Sequence, residues 1–141
     1  VTPTLSSCNQ IFKKELLEIP KVAAINRHTA LLPQYGGVFP VFWAMLNDED
    51  KVGVTMTKMT EKIDEGPIVT QGAIDVEEED TMYDLYEKGF ELSAKLVLES
   101  IDIFENGKGF KFLNKDAEKS YFSFPKKEDG DLFRKKGKKF I

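Results

Sequence analysis

"AAINRHTALLPQYGGVFPVFW", residues 23–43, carries a short apolar run into an Asn, an Arg and the only histidine of the chain, then into a loop with two adjacent glycines. Val22 to Ile25 suits a buried strand. Asn26 and His28 stand two positions apart, so on a strand both side chains point to one face. An amide donor beside an imidazole can bond one developing oxyanion from two sides. Residues 29–38 read as a loop broken by Pro33 and Gly36-Gly37. Pro40 then opens a helix through about Leu46 whose apolar payload is Val41, Phe42, Trp43, Met45 and Leu46. Two structures fit this stretch: a strand that ends in a plain turn, or one that bears an active site on its tip.

Upstream, Ile11, Phe12, Leu16, Leu17 and Ile19 among Lys and Glu predict a short amphipathic helix over 10–18 that Pro20 stops. Downstream, Lys51 to Met59 alternates like a strand, Gly66-Pro67 breaks the chain, and Ile68 to Val76 reads as another strand. The acidic run Glu77 to Asp80 precedes a helix start, where negative charge suits the helix dipole. Thr81 with Asp84 forms the pattern of a capping box. The helix that follows, Met82 to about Glu105, places Met82, Tyr86, Phe90, Ala94, Val97, Ile101 and Phe104 on one stripe, and Asn106-Gly107 stops it. A weak strand near Phe110 to Leu113, the segment "SYFSFP" and a basic terminal helix complete the chain. Helices interleaved between strands make this α/β.

Length and composition fit one domain with a real core, since 41 % of the 141 residues are apolar and 11 are Phe. No apolar run approaches the roughly 20 residues of a membrane span, and no secretory signal opens the chain. The single Cys8 leaves no internal disulfide framework and points to a reducing, cytoplasmic compartment. One His and one Cys argue against zinc held by nitrogen and sulfur. Residues 126–141 hold seven Lys or Arg against three acids, a local +4, so the other 125 residues carry −8 of the net −4. Such a tail could touch a phosphate or RNA, but it also fits a solvated terminal helix.

Few side chains titrate near neutral pH, and His28 is the histidine available for acid–base work. A carboxylate partner is needed, and Asp64 in "EKIDEGPIV" is the best candidate, although that segment taken alone favours a turn aspartate bonding its own backbone. No G-x-S-x-G elbow is present, Cys8 has no base beside it in sequence, and Gly36, Gly37 and Gly53 make no phosphate loop.

Taken together these pieces resemble a known family. "INRHTALLPQYGGVFPVFWAML" is similar to the N-x-H-x-S/T-L-L-P-x-Y-x-G signature of formyltransferases that use 10-formyltetrahydrofolate. "VGVTMTKMTEKIDEGPIVTQ" is similar to their second signature, G-V-T-x-x-x-M-x-x-x-x-D-x-G-x-I-x-x-Q. "SYFSFPKKEDG" resembles a segment that follows this domain in relatives of methionyl-tRNA formyltransferase. The resemblance covers roughly residues 9–130. It implies a Rossmann-like fold with a mixed, mostly parallel sheet flanked by helices, with the N-terminal strands missing. Residues 1–113 would be the C-terminal part of the catalytic domain, and 114–141 a basic tail extension with a short helix.

The resemblance assigns Asn26, His28 and Asp64 to the family's catalytic Asn, His and Asp. It implies formyl transfer to a primary amine through a tetrahedral intermediate, stabilised by Asn26 and His28, with Asp64 assisting proton transfer and no metal required. The folate donor would lie on Met59, Thr60, Glu61, Lys62 and Ile63 with Ile11 and Phe12 as an apolar wall, and core packing explains Ile11 and Phe12 equally well. Leu32, Pro33, Gly36 and Gly37 would border the acceptor side. The acceptor would be methionyl-tRNA or a sugar-nucleotide amine. Gly36 argues against tRNA, because many members carry an Arg there, and Thr57 replaces the His of glycinamide ribonucleotide transformylases. Arg27 replaces a usual apolar residue, as a strand-end arginine or a reader of an anionic substrate. With part of the donor site outside it, this stretch alone is expected to turn over slowly or not at all, and an unpaired edge strand favours a homo-oligomer. A non-catalytic folate- or nucleotide-binding module and a formyl-tetrahydrofolate hydrolase remain the alternatives.

Overall fold

The computed structural model describes residues 4–6, 11–111, 113 and 116–141; of residues 4–6 the backbone alone is described. Ten elements follow in chain order: β1 (Thr4–Ser6), α1 (Lys14–Leu17), β2 (Ala24–His28), β3 (Gly36–Gly37), α2 (Pro40–Leu46), β4 (Lys51–Lys58), β5 (Ile68–Asp75), α3 (Met82–Asn106), β6 (Tyr121–Phe122) and α4 (Lys127–Lys135). The main sheet runs β1-β2-β4-β5, and β3 pairs with β6 in a separate parallel ribbon. The sheet is mixed: β1 and β2 are parallel, whereas β2–β4 and β4–β5 are antiparallel. The second of these is a hairpin, because the loop 59–67 is too short for a crossover back to a parallel strand. No helix among the described residues is long and apolar enough to cross a membrane. Cys8 lies outside the described residues.

Most expected elements form, with caps as read. Thr81 Oγ1 accepts the Asp84 N–H at 3.1 Å, and Asp84 Oδ2 accepts the Thr81 N–H at 2.9 Å. Gly107 ends α3 in the left-handed region at φ 65°. Three readings are corrected. The first helix is one turn, Lys14–Leu17, with no buried residue, because nothing described covers the apolar side of Leu16 and Ile19. No regular strand forms at Phe110–Lys111, where a single bond from Lys111 N–H to Val69 O is made; Phe112 is outside the described residues. The buried face of α3 is Leu85, Gly89, Ser93, Leu96, Ser100 and Ile103, not the stripe through Phe90, which is 62 % exposed.

Close approach explains that last correction. A Cβ on Gly89 would lie 3.2 Å from Thr29 Cγ2, and one on Gly72 2.9 Å from Leu92, so small residues set the helix tight against the sheet. The hydroxyls of Ser93 and Ser100 are satisfied within the helix, donating to the Gly89 and Leu96 carbonyls at 2.5 and 2.7 Å. One core cluster joins Ile25, Val54, Met56, Val69, Leu96 and Ile103 beneath α3. A second gathers Phe42, Val41, Met45, Leu85 and Phe133 around α2. There Phe42 stacks on the fully buried Phe133 at 4.9 Å, which seats α4. The carbonyls of Lys139 and Phe140 in turn accept the Met82 and Tyr83 N–H groups at the start of α3.

Candidate active site

β2 lies between β1 and β4, with Asn26 opposite Thr57 and His28 opposite Thr55. His28 is 8 % exposed, and its Nε2 lies 2.8 Å from the Tyr35 carbonyl oxygen. A carbonyl can only accept, so Nε2 carries the proton and Nδ1 is left as the basic nitrogen. Nδ1 is 3.5 Å from Asp64 Oδ1. The other oxygen, Asp64 Oδ2, accepts the Gly37 N–H at 2.9 Å. Asp64 is thus held between an imidazole and a loop amide rather than turned onto its own segment, and its φ of 52° is one that Asp tolerates better than most residues. Asn26 makes no side-chain hydrogen bond to the described residues, so its amide is available at the same face.

The loop that supplies these partners is fixed by polar groups buried under it. Thr55 Oγ1 donates to Ala30 O at 2.6 Å and accepts from Leu32 N at 3.1 Å and Gln71 Nε2 at 2.9 Å. Gln71 Nε2 also donates to Leu32 O at 2.8 Å. The Thr and Gln of the second signature therefore carry the first signature's loop. Its glycines are steric necessities: a Cβ on Gly53 would overlap Leu31, and one on Gly66 would overlap the Lys58 carbonyl oxygen. From the other side β6 zips onto the loop. Tyr35 N–H donates to Ser120 Oγ at 2.8 Å, Gly36 N–H to Ser120 O at 3.0 Å and Val38 N–H to Phe122 O at 2.9 Å. Tyr35 stacks on Phe122 at 5.2 Å, and its hydroxyl donates to Glu49 at 2.6 Å. Burial, reinforced by that carboxylate, pushes the Tyr35 phenol up to about 12.

Asp64 stands on the wall shared by two clefts. The first, about 70 Å³, is lined by Ile11, Phe12, Asn26, Thr57, Lys58, Met59, Thr60, Glu61, Lys62, Ile63, Asp64 and Gly66. It brings together all seven expected donor-side positions with Asn26 and Asp64. Ile11 and Ile63 are 61 % and 50 % exposed at its rim, apolar surface suited to a flat ligand. The second cleft, about 340 Å³, is lined by Leu32, Pro33, Gly36 and Asp64 together with Pro67, Ile68, Lys119, Ser120 and Tyr121 among others. Gly37 does not line it but positions Asp64. His28 lines neither cleft and sits behind Asp64. Sequence reading did not single out Thr57, Lys58, Gly66 or the 119–121 segment as lining residues; for the last, the quoted "SYFSFP" was the available signal.

Arg27 and three lysines of the basic tail, all considered for anion binding, are engaged elsewhere, although Arg27 Nη2 is buried without a hydrogen-bond partner among the described residues. Arg27 points to the opposite face from His28, half-buried against α3, where Nε donates to Ser93 Oγ at 2.6 Å and the guanidinium lies 4.4 Å over Phe90. Burial lowers its pKa, against a smaller opposing effect of Tyr86. It is neither an exposed strand-end arginine nor at the Asp64 clefts. In the basic tail, Lys136 and Lys138 pair with Asp48 at 2.5 and 3.1 Å and Lys139 with Glu79 at 3.8 Å.

Comparison with known proteins bears on the family and the fold. The family model described as formyl transferase matches residues 3–101. Methionyl-tRNA formyltransferase of Clostridioides difficile is 34 % identical over 123 residues, covering 87 % of this chain and 40 % of that protein. The structure of the N-formyltransferase from Helicobacter canadensis in complex with folinic acid and dTDP-3-aminofucose superposes with a TM-score of 0.68 at 31 % identity, covering 86 % of this chain and 43 % of that one. The formyltransferase PseJ from Anoxybacillus kamchatkensis, in complex with UDP-4,6-dideoxy-4-formamido-L-AltNAc and tetrahydrofolate, superposes with a TM-score of 0.68 at 29 % identity, covering 85 % and 62 %. The chain spans about two-fifths of the length of the first of these relatives. On its sequence and its fold, the chain belongs to the formyl transferase family.

Proposed function

We propose that this chain carries the centre that moves a formyl group from 10-formyltetrahydrofolate to a primary amine. The observation that supports it is Asp64 on the wall between two clefts, with the Asn26 amide unengaged by the described residues on one side and His28 behind. The first cleft, with its exposed Ile11 and Ile63, suits the flat ring system of the donor; the second takes the amine. Asn26 donates to the formyl oxygen as charge develops on it. The Tyr35 carbonyl fixes the Nε2–H tautomer, so a proton taken up by His28 resides on Nδ1, where Asp64 Oδ1 stabilises the imidazolium. That positive charge helps hold the oxyanion. As the intermediate collapses and the bond from the formyl carbon to N10 breaks, Asp64 relays the proton lost by the amine, through a water, to N10 of the departing tetrahydrofolate. The names of the relatives reported above point to two acceptor classes, methionyl-tRNA and nucleotide-linked amino sugars.

The test combines calorimetry against folinic acid with an assay of tetrahydrofolate release from the formyl donor in the presence of each acceptor class. Folate binding with release that depends on the amine is the expected result. Binding without release identifies a folate-binding module, and free formate in place of a formylated amine identifies a hydrolase. If His28→Ala in the active protein leaves transfer intact, this mechanism is wrong.

A further inference from the structure

The second cleft has a floor that its β3–β6 ribbon makes unusual. Gly36 pairs with Tyr121, and both line the second cleft with Asp64. A Cβ built on Gly36 would lie 3.3 Å from the Ser120 carbonyl oxygen, 3.5 Å from the Tyr121 ring and 3.8 Å from Asp64 Cβ, so a side chain at position 36 would crowd the β6 backbone and stand between the phenol and the carboxylate. Gly36 is not in a left-handed conformation, so backbone geometry does not demand glycine there, as it does at Gly37 with φ 96°. The bare position keeps the gap open. Tyr121 is 56 % exposed, lines the cleft, and its ring lies beside Gly36. Pro33, Pro67 and Ile68 add apolar wall, and Glu65, Lys119 and Ser120 are the other polar members of the cleft.

Charge narrows what can enter. The one cation among the described lining residues, Lys119, is paired with Glu65, which leaves the Asp64 carboxylate as the remaining charge of the cleft. A phosphodiester backbone is repelled by such a surface, because its binding requires free cations. An amine is attracted to it. A cleft of about 340 Å³ falls in the range of small-molecule sites.

We propose that Tyr121 and the bare Gly36 together select the acceptor, with the phenol as the platform for an uncharged amino-sugar ring whose amine reaches Asp64 through the gap over Gly36. Any phosphates of the acceptor lie outside this cleft. The inference rests on the formyl-transfer reading above and adds the residues that choose the substrate.

Calorimetric titrations of the unsubstituted chain, Tyr121→Phe, Tyr121→Ala and Gly36→Arg with the same amino-sugar nucleotide, and separately with folinic acid, test it. Tyr121→Ala is expected to weaken the acceptor about tenfold, Tyr121→Phe to leave it unchanged, and Gly36→Arg to abolish it, since the ring face rather than the hydroxyl binds. Folinic acid affinity should stay within about twofold throughout, because the donor cleft is separate. Trp43, stacked on Phe122 at 5.0 Å, reports by its fluorescence that the ribbon is intact in each variant. Equal acceptor affinity in Tyr121→Ala, tolerance of Gly36→Arg, or no saturable binding of the amino sugar by the unsubstituted chain each overturns the proposal. So does retention of methionyl-tRNA with the amino sugar ignored. Loss of folinic acid binding by the unsubstituted chain would instead remove the formyl-transfer reading, leaving the acceptor titrations to decide Tyr121 by themselves.

Discussion

Thr55→Val separates the hydroxyl's work from the side chain's bulk, because the two residues have nearly the same shape. The hydroxyl is saturated: it donates to Ala30 O and accepts from Leu32 N and Gln71 Nε2, all in a fully buried site. Valine would strand one acceptor and two donors together. Each buried polar group left without a partner costs about 1–3 kcal/mol, but Gln71 keeps its bond to Leu32 O and so loses less than the full amount. The expected loss is therefore about 2–4 kcal/mol, below the simple sum. At about 3 °C per kcal/mol for a chain of this size, Tm falls by roughly 6–12 °C. Thr55→Ser keeps the three bonds and removes one methyl, for about 1 kcal/mol. Urea unfolding of the three proteins gives the comparison, and hydrogen exchange at the Leu32 amide reports whether the loop itself loosens. The reasoning fails if Thr55→Val is no more destabilising than Thr55→Ser, or if Leu32 stays as protected as before.

Three further outcomes are expected. Asp64→Asn can still accept from Gly37 N–H but has no charge for His28, so folding and folinic acid binding should persist while formyl transfer in the active protein drops by about 100-fold or more, read as tetrahydrofolate release. Gly37→Ala, with φ 96° and no room beside Phe122 O, should break the β3–β6 ribbon and shift Trp43 fluorescence; Gly107→Ala, with φ 65° and open space, should cost only about 1 kcal/mol in thermal melts. The raised phenol of Tyr35 favours the neutral form in the fold, so its contribution is intact below the ordinary value near 10 and is lost as pH rises through about 12. Phenolate absorbance should show Tyr35 titrating near that value, with Tyr35→Phe removing the step; titration near 10 in the folded protein would refute the burial argument.

Much of the architecture is local and was legible as such. Pro40 at the first turn, the Thr81–Asp84 box and Gly107 mark α2 and α3 because caps act over a few neighbouring residues. The period-two spacing of Asn26 and His28 put them on one face for the same reason. The buried face of α3 was misread because bulk apolar residues dominate a periodicity count. Here Gly89, Ser93 and Ser100 line the contact instead, and nothing in the helix by itself says how near the sheet will come.

From the sequence alone came most of the elements and their caps, which rest on residue type and short spacing. The grouping of Asp64 with Asn26 and His28 came only from the resemblance to the formyltransferase signatures, because no short spacing joins Asp64 to the other two. Tertiary structure decided how they are arranged. It took Tyr35 O to leave His28 with Nδ1 as its basic nitrogen, and Gly37 N–H with His28 to hold Asp64 between two clefts. It took Ser120 and Phe122, more than eighty positions along the chain from the loop, to hold that loop and bring Tyr121 beside Gly36. Contacts across such separations depend on how the β3–β6 ribbon, the sheet and α3 pack together, and no local pattern of residues encodes that packing.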